Sequence, residues 1–322
     1  MSHPTAEARR TAPLARFEEL VPYQSQHADN GIPREVMEYL AANKVFPVVS
    51  PAGLVGRNAL ARLRGWPGLC ITIAECVPGH GPVSHNHTGT LENFFCLDGG
   101  FDVKWGNRLE HKVSLAPGDL VSVPPGIYRT FQNTTSQNAR LLVMIQGDRD
   151  MSDKIEMPRA IGEEVRRKHG DRVLDLLAAI NMRFQGGETP DFTPEQMAGR
   201  VARAARLHPR ATADGETVYP VMVPTEGVAP VTNWPGLDVS LMVGEAGVAS
   251  SAQLDAGHCQ WIVNLGEGEW MVDCNGERTV LGRFDIVCAE AGSTRTVRNL
   301  SNRPARLLLA TQGRDTIAAA TH

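Results

Sequence analysis

Residues 79–99 read GHGPVSHNHTGTLENFFCLDG and contain the most informative pattern in the chain. His85 and His87 occupy alternate positions, and alternate side chains of a β-strand point to the same face of a sheet. Glu92 follows five residues after the second histidine. Two imidazoles and one carboxylate on one face suit a divalent transition metal, because each offers a lone pair and the carboxylate balances charge. The alternative from spacing alone is a polar loop with three unrelated titratable groups.

The spacing of this stretch resembles the first motif of the cupin family. Gly79, His85, His87, Glu92 and Gly99 match that motif at every defined position. The resemblance implies a small antiparallel jelly-roll barrel in which the two histidines and the glutamate are metal ligands.

The second cupin motif follows with one substitution. Its matching positions are Gly118, Pro124, Gly126 and Asn133. Arg129 stands where the family has its last metal-binding histidine. A guanidinium has no lone pair to give, so Arg129 cannot replace that ligand.

Three segments of the chain recur later in the same order, which indicates an internal repeat. The pairs are Trp66–Leu69 with Trp234–Leu237, Gly126–Asn133 with Gly292–Asn299, and Ala139–Leu142 with Ala305–Leu308. The first offset is 168 residues and the other two are 166. The sequence therefore predicts an all-β protein with helical additions, in which two antiparallel cupin (jelly-roll) barrels are joined by a helical linker.

The expected domain boundaries follow from changes in hydrophobic periodicity and composition along the chain. We expect an N-terminal tail and helix over 1–43, a first cupin domain with the metal site over 44–150, a helical linker over 151–214 and a second, degenerate cupin domain over 215–322. Residues 1–30 have the composition of a partly disordered tail, and Pro33–Ala42 has helical spacing.

The linker pattern predicts two helices between the barrels, one over Ile161–Phe184 and one from Thr193 to Leu207. Thr193, Pro194 and Gln196 predict a capped start for the second helix. We expect no parallel β-α-β unit.

The repeat also indicates which barrel carries chemistry. At the 168-residue offset, Gln253, Asp255 and Gln260 replace the three candidate ligands of the first barrel. His258 lies nearby, but a lone histidine is more often a satisfied polar group than a ligand. The second barrel is interpreted as a structural support.

Charge and cysteine content limit the kinds of binding partner and the cellular compartment that we expect. The 322 residues carry 32 basic and 36 acidic side chains, which gives a net charge of −4. This balance lacks the excess of positive charge that is typical of proteins that bind nucleic acid or an anionic membrane. The six cysteines form no Cys-x-x-Cys pair and are interpreted as reduced core thiols. We expect a cytoplasmic protein with a small-molecule anionic substrate, no membrane span and a homodimeric or higher homo-oligomeric state.

Arg129 leaves two interpretations open. In the first, His85, His87 and Glu92 hold a metal with open positions for oxygen and substrate, and Arg129 pairs with a substrate carboxylate or enolate. In the second, Glu92 forms a buried ion pair with Arg129, and two histidines alone hold metal too weakly. Arg295 occupies the equivalent position of the second barrel, which favours a structural component.

Further candidates surround this position. Tyr128 or His80 could replace the missing histidine ligand, although strand alternation directs Tyr128 away from Arg129. The side chains expected to share the inward face, and so to line the substrate pocket, are Phe94, Cys96, Phe131 and Asn133. Such a pocket is mostly apolar with one anion-binding end.

The resemblance implies several possible activities. Two-cupin proteins with one intact site include oxygenases of aromatic or diketone substrates, decarboxylases, isomerases and non-enzymatic binders. We expect an iron(II)-dependent dioxygenase acting on a small anionic aromatic or aliphatic acid or enol, with Arg129, Glu92 and Tyr128 as candidate catalytic residues. Mn, Ni, Zn or Cu are the alternative metals. The alternative functions are a metal-poor small-molecule-binding or regulatory protein and a metal-dependent decarboxylase or isomerase.

Overall fold

The computed structural model describes residues 12–147 and 151–314. The strands of these residues are β1 (Leu14–Ala15), β2 (Lys44–Pro51), β3 (Leu63–Gly65), β4 (Leu69–Cys76), β5 (Asn86–His87), β6 (Leu91–Asp98), β7 (Phe101–Trp105), β8 (His111–Leu115), β9 (Leu120–Val123), β10 (Arg129–Asn133), β11 (Ala139–Gln146), β12 (Ile155–Glu156), β13 (Met182–Arg183), β14 (Val201–Ala202), β15 (Arg210–Ala211), β16 (Thr217–Val223), β17 (Val231–Thr232), β18 (Leu237–Gly244), β19 (Ala249–Gln253), β20 (His258–Asn264), β21 (Trp270–Cys274), β22 (Glu277–Leu281), β23 (Ile286–Ala289), β24 (Thr294–Asn299) and β25 (Ala305–Gly313). The helices are α1 (Tyr23–Ala28), α2 (Arg34–Leu40), α3 (Arg159–His169), α4 (Asp171–Ala179) and α5 (Pro194–Ala198), with 3₁₀ turns at Phe17–Glu19 and Ala204–Arg206.

The first jelly roll consists of a large sheet and a small one. The large sheet has seven strands in the order β14-β9-β6-β11-β4-β2-β3, and the small sheet has three in the order β10-β7-β8. Strand β4 is buried along its whole length. Its alternate side chains enter two different cores, because Cys70 and Ala74 belong to the core of the first domain whereas Ile71 and Ile73 belong to a second core.

The second jelly roll repeats this topology. Its large sheet runs β1-β23-β20-β25-β18-β16-β15, with β17 beside β16, and its small sheet runs β19-β24-β21-β22. The central order β23-β20-β25-β18-β16 corresponds strand by strand to β9-β6-β11-β4-β2 of the first domain. The prediction of two antiparallel cupin folds is confirmed, although the sheets of each domain remain open at their edges and do not close into complete barrels.

The two large sheets pack against each other. Their facing side chains form one shared apolar core that includes Phe95, Met144, Trp261 and Leu308, all buried. Each domain also receives an edge strand from outside itself. Strand β14 pairs with β9 of the first domain, and β1 pairs with β23 of the second.

The predicted disordered tail is wrong for residues 12–30. Leu14 and Ala15 pair with Val287 and Ile286. In α1, Tyr23 enters the core of the first domain, while the buried Gln24 amide donates to the carbonyl of Ala42 at 2.6 Å. Polar residues such as Gln24 resemble surface residues in a sequence, because the partners that satisfy them come from distant segments. Residues 1–11 lie outside the described residues.

The linker helices differ from the expectation. The chain leaves α3 at Gly170, whose φ of 84° requires glycine-like freedom, and α4 ends at Ala179. The Thr193 cap and its reciprocal bond with Gln196 are confirmed, but α5 ends at Ala198 because β14 forms three residues later. The two longer helices α3 and α4 pack on the first domain through Val165 and Leu177, and do not lie between the domains.

The expectation that the chain has no parallel β-α-β unit is wrong for one short pair of strands. Strands β12 and β13 pair in parallel across α3 and α4, and β2–β3 and β16–β17 are also parallel. Each of these pairs is two or three residues long and is an addition to the jelly-roll ladders. No helix in the described residues is both long and apolar enough to cross a bilayer.

Candidate metal site

The three candidate ligands of the first motif meet in the interior of the first domain. Glu92 lies on β6, His87 on β5, and His85 is held by a backbone bridge to β10. The Nε2 atoms of His85 and His87 lie 3.7 Å and 3.3 Å from the Glu92 carboxylate oxygens. One ligand atom from each residue lies within 4.8 Å of the other two, and all three side chains are buried. The structure therefore brings together a group that could hold a metal ion.

The loop before His85 reaches this position because of a glycine. A Cβ atom on Gly81 would lie 1.6 Å from the carbonyl oxygen of Phe131. Any side chain at residue 81 would push the loop away from β10. Gly81 therefore allows the close approach that brings His85 to the sheet.

Hydrogen bonds to the outer ring nitrogens orient both imidazoles. His85 Nδ1 lies 2.9 Å from the carbonyl oxygen of Val83, which it can contact only as a donor. His87 Nδ1 lies 3.2 Å from the hydroxyl of Thr90. The Nε2 atom of each ring therefore faces Glu92, in the way that outer hydrogen bonds commonly orient metal-binding histidines.

Burial and charge favour the protonation states that a metal requires. Burial lowers the pKa of His87 to about 3 against the opposing effect of Glu92. Burial acts to raise the pKa of Glu92, but His87 and His85 together bring that pKa well below its usual range. A neutral imidazole thus faces an ionised carboxylate.

The donor set fits a divalent transition metal. His87 Nε2 and Glu92 Oε2 are buried and have no hydrogen-bond partner among the described residues. Leaving such atoms unpaired in a protein interior is costly. A cation among the two imidazole nitrogens and the carboxylate would satisfy all three groups, and nitrogen and oxygen donors suit iron, manganese, nickel, zinc or copper.

Arg129 contacts this group without saturating it. Its Nε lies 3.5 Å from Glu92 Oε2, and its Nη2 donates to the carbonyl of Pro124 at 3.0 Å. Nε and Nη1 have no hydrogen-bond partner in the described part of the chain. Burial lowers the pKa of Arg129 to about 10, so the guanidinium remains charged at neutral pH. The geometry combines elements of both interpretations, because the ion pair exists but leaves Glu92 lone pairs available.

The equivalent arginine of the second domain has a complete partner. Arg295 donates to both carboxylate oxygens of Glu216 at 2.5 and 2.6 Å, and its Nε donates to Gln260 at 2.9 Å. The strand registers place Asn43 where the second domain has Glu216, and its Oδ1 accepts from the backbone of Val77 instead. The first domain therefore lacks the internal carboxylate that neutralises the arginine of the second.

The other candidate positions of the second domain are arranged differently. Asp255 is exposed, and its carboxylate contacts His258 Nδ1 at 2.8 Å. Gln253 contacts Thr294 and the carbonyls of Leu254 and Gly292. Among the described residues of the second domain, no three His, Cys, Asp or Glu side chains form a group like that of the first.

The two candidate replacement ligands lie elsewhere. Tyr128 is buried beside Asn86 and Glu156, and burial raises the pKa of its hydroxyl. The backbone of His80 forms a turn with Val77 and pairs with Asn133, and its ring is not among the side chains that could hold an ion in the described residues. Strand alternation accounts for the direction of Tyr128.

A cavity of about 50 Å³ lies against His85 and Glu92. Phe131, one of the residues expected to line the substrate pocket, lies in its wall together with apolar side chains of β4 and β11. The other three predicted lining residues are not among its walls. Phe94 and Cys96 are fully buried in the core, and Asn133 uses its amide to hold a turn through the carbonyls of Cys76 and Gln137.

A second buried ion pair beside the cavity was not predicted from the sequence. Arg57 and Asn58 line the cavity, and the Arg57 Nη1 atom lies 3.1 Å from Asp153 Oδ2. Asn58 donates to the same oxygen at 2.8 Å, and Asp153 Oδ1 is 4.0 Å from His87 Nδ1. Arg57 lies between β2 and β3 and Asp153 precedes β12, so only the fold brings them together. No periodic or spacing signal marks either residue.

The structure is that of a two-domain β-sandwich protein whose domains share a core. Its described residues contain one candidate metal site, the buried His-His-Glu group of the first domain. The family model of the cupin domain matches residues 72–145, which include the whole first motif. The first domain therefore matches the cupin domain by sequence, and the chain as a whole has a two-domain cupin fold.

Solved structures of other proteins share the fold at low sequence identity. A salicylate 1,2-dioxygenase from Pseudaminobacter salicylatoxidans is 13% identical and has a TM-score of 0.56, with 98% of this chain and 87% of that chain covered. Adducts of the enzyme with gentisate give 14% identity, a TM-score of 0.55 and coverage of 93% and 80%. A vicilin from Corylus avellana (hazelnut) is 14% identical, with a TM-score of 0.50 and coverage of 77% and 76%. No curated protein matches the sequence. Because a dioxygenase and a vicilin both share this fold, the likeness identifies no reaction.

Proposed function

We propose that the protein is a metal-dependent oxidoreductase of the cupin type, an iron(II) dioxygenase that acts on a small anionic acid or enol in the first domain. The observation that carries this proposal is the convergence of the unpartnered His87 Nε2 and Glu92 Oε2 atoms, with His85, beside a cavity. Iron(II) held by these three residues would supply the redox chemistry that allows dioxygen to react.

The protein's own groups would bind and orient the substrate. Among the described residues Arg57 is the arginine or lysine that lines the cavity, so a substrate anion would approach it there. Arg129 is fully buried and outside the cavity walls, so its proposed role is to hold the Glu92 carboxylate in place. Phe131 and the neighbouring apolar side chains would exclude water from the reacting atoms.

The cavity volume supports a small substrate. By the same measure of volume, one water molecule needs about 10–15 Å³, so the cavity has room for roughly three to five groups of that size. This favours the aliphatic end of the proposed range, an acid or enol of a few heavy atoms, over a larger aromatic acid.

Metal analysis of protein purified without chelators tests the proposal. We expect close to one transition metal per chain, lost in His85→Ala and in His87→Ala because each removes a ligand, and kept in the control His258→Ala of the second domain. Oxygen uptake with a panel of small acids and enols then tests the reaction. Stoichiometric metal that survives removal of both histidines would contradict the proposed site.

A metal-poor binding or regulatory protein is the second candidate, supported by the 3.5 Å contact between Arg129 and Glu92. That function predicts ligand binding without metal and without turnover. A metal-dependent decarboxylase or isomerase would use the same site but would convert its substrate without oxygen uptake.

A further inference from the structure

Four charged side chains are buried around the cavity of the first domain. They are Glu92 and Asp153, which are anionic, and Arg57 and Arg129, which are cationic, and each is at most 7% exposed. They form two ion pairs, Glu92 with Arg129 and Arg57 with Asp153, with His87 close to both carboxylates. With both imidazoles neutral, the formal charge of the group is zero.

A divalent metal on His85, His87 and Glu92 would change this balance. Together with the metal, these described groups would carry a net charge of about +2, and an uncompensated charge away from water is strongly unfavourable. Binding of an anion beside the metal would remove part of that charge. In the second domain the equivalent arginine is already neutralised by Glu216, which illustrates how a carboxylate completes such a pocket.

We infer that metal binding in the first domain is coupled to the binding of a small monoanion, a carboxylate of a few heavy atoms, with Arg57 as the residue that receives it. Arg57 lines the same cavity as His85 and Glu92, whereas Arg129 is not among its lining residues. The inference rests on the proposed metal site. It adds that the ligand class is monoanionic and that each ligand strengthens the binding of the other, because binding couplings are reciprocal.

Cobalt(II) titration with acetate as the probe tests the coupling. The visible absorbance of bound cobalt gives its Kd in a chloride-free buffer, with and without sodium acetate, at ionic strength matched with perchlorate and corrected for cobalt acetate in solution. We expect acetate to lower the cobalt Kd by about fivefold or more, the lower limit of typical couplings. Calorimetry should correspondingly show that cobalt lowers the Kd of acetate by the same factor, because the coupling is reciprocal.

Two charge variants should shift the metal affinity in opposite directions. Arg57→Gln removes a positive charge, so cobalt should bind more tightly without acetate and the acetate effect should vanish. Asp153→Asn removes a negative charge, so cobalt should bind more weakly while the acetate effect persists. Arg57→Lys should retain the coupling. The exposed Arg278→Gln, which breaks a surface pair with Asp273, is the matched control and should change neither value.

The outcomes separate the inference from the proposed function. One cobalt per chain with a Kd that acetate leaves unchanged would overturn the coupling and leave the metal site standing. An acetate effect that persists in Arg57→Gln would overturn the role of Arg57. Absence of stoichiometric cobalt would overturn the proposed function and the coupling with it. Thermal unfolding of each variant establishes that it is folded. If one variant does not fold, the other still tests the inference, because the two are expected to change the cobalt affinity in opposite directions.

Discussion

Arg129 and Arg295 are equivalent residues with different surroundings, and the difference explains why one domain retains a usable site. Arg295 is saturated by the bidentate carboxylate of Glu216. In the described residues the carboxylate that Arg129 contacts is Glu92, at 3.5 Å, and Glu92 also faces two imidazoles. A buried ion pair that is fully satisfied leaves no lone pair for a ligand, whereas a partly satisfied one does.

Arg129→Met should destabilise the metal-free protein by about 3–5 kcal/mol, because it leaves Glu92 buried without its cation. Added zinc(II) or cobalt(II) should recover much of that loss, since the metal would take over the role of counter-charge. Chemical unfolding of the variant with and without metal measures both effects. Arg295→Met in the second domain is the control, with a similar loss that metal does not recover. A loss in Arg129→Met that metal leaves unchanged would contradict a site that includes Glu92.

The buried His87 predicts a loss of stability in mild acid. The pKa of His87 is lowered by burial to about 3, and that of an unfolded histidine is about 6.5. Below pH 6.5 the unfolded chain takes up a proton that folded His87 does not, so folding is penalised progressively until the pH approaches the folded pKa. Between pH 6.5 and 5 the metal-free protein should lose about 2 kcal/mol from this residue.

Urea unfolding measured between pH 6.5 and pH 5 checks the effect. Most carboxylates titrate below this range and therefore contribute little to the change. His87→Gln should show a shallower pH dependence than the unchanged protein. His27 is also buried with a lowered pKa, and it contributes in the same direction to both proteins. Equal slopes for the two proteins would show that His87 is not the neutral buried group described here.

At the scale of elements, the jelly-roll strands were predictable because their signals are local. The motif spacing located His85, His87 and Glu92, and the internal repeat located the second domain. The capping box at Thr193 could also be predicted from the sequence, since it depends on two residues that are three positions apart.

Elements that depend on distant partners were missed. The apolar residues after α5 have a helical period, yet Val201–Ala202 is a strand because the free edge of β9 is available to it. Leu14–Ala15 is ordered for the same reason at β23. Arg57 and Asp153 pair across 96 positions of sequence, so no local pattern could mark them as parts of the cavity. Tertiary contacts override local propensity at these places.

At the scale of the molecule, the two domains are joined by more than the linker. Alternate side chains of β11 enter different cores, with Leu141 and Val143 in the first domain and Leu142 and Met144 in the core shared with the second. The shared core also receives Phe17 from the N-terminal segment. A core of this kind makes the stability of each domain depend on the other. The predicted homodimer stays a prediction, which sedimentation of the purified protein would test.

The shared core predicts that the described residues unfold as one cooperative unit. Met144→Ala removes a fully buried side chain from the shared core and should cost about 2–5 kcal/mol. Hydrogen exchange should show an equal loss of protection in β11 of the first domain and β25 of the second, because both strands open only when the common core is lost. Val280→Ala, at a position that is 44% exposed, is the control and should leave both strands unchanged. Loss of protection confined to β11 would instead indicate two domains that unfold independently, each supported by its own core.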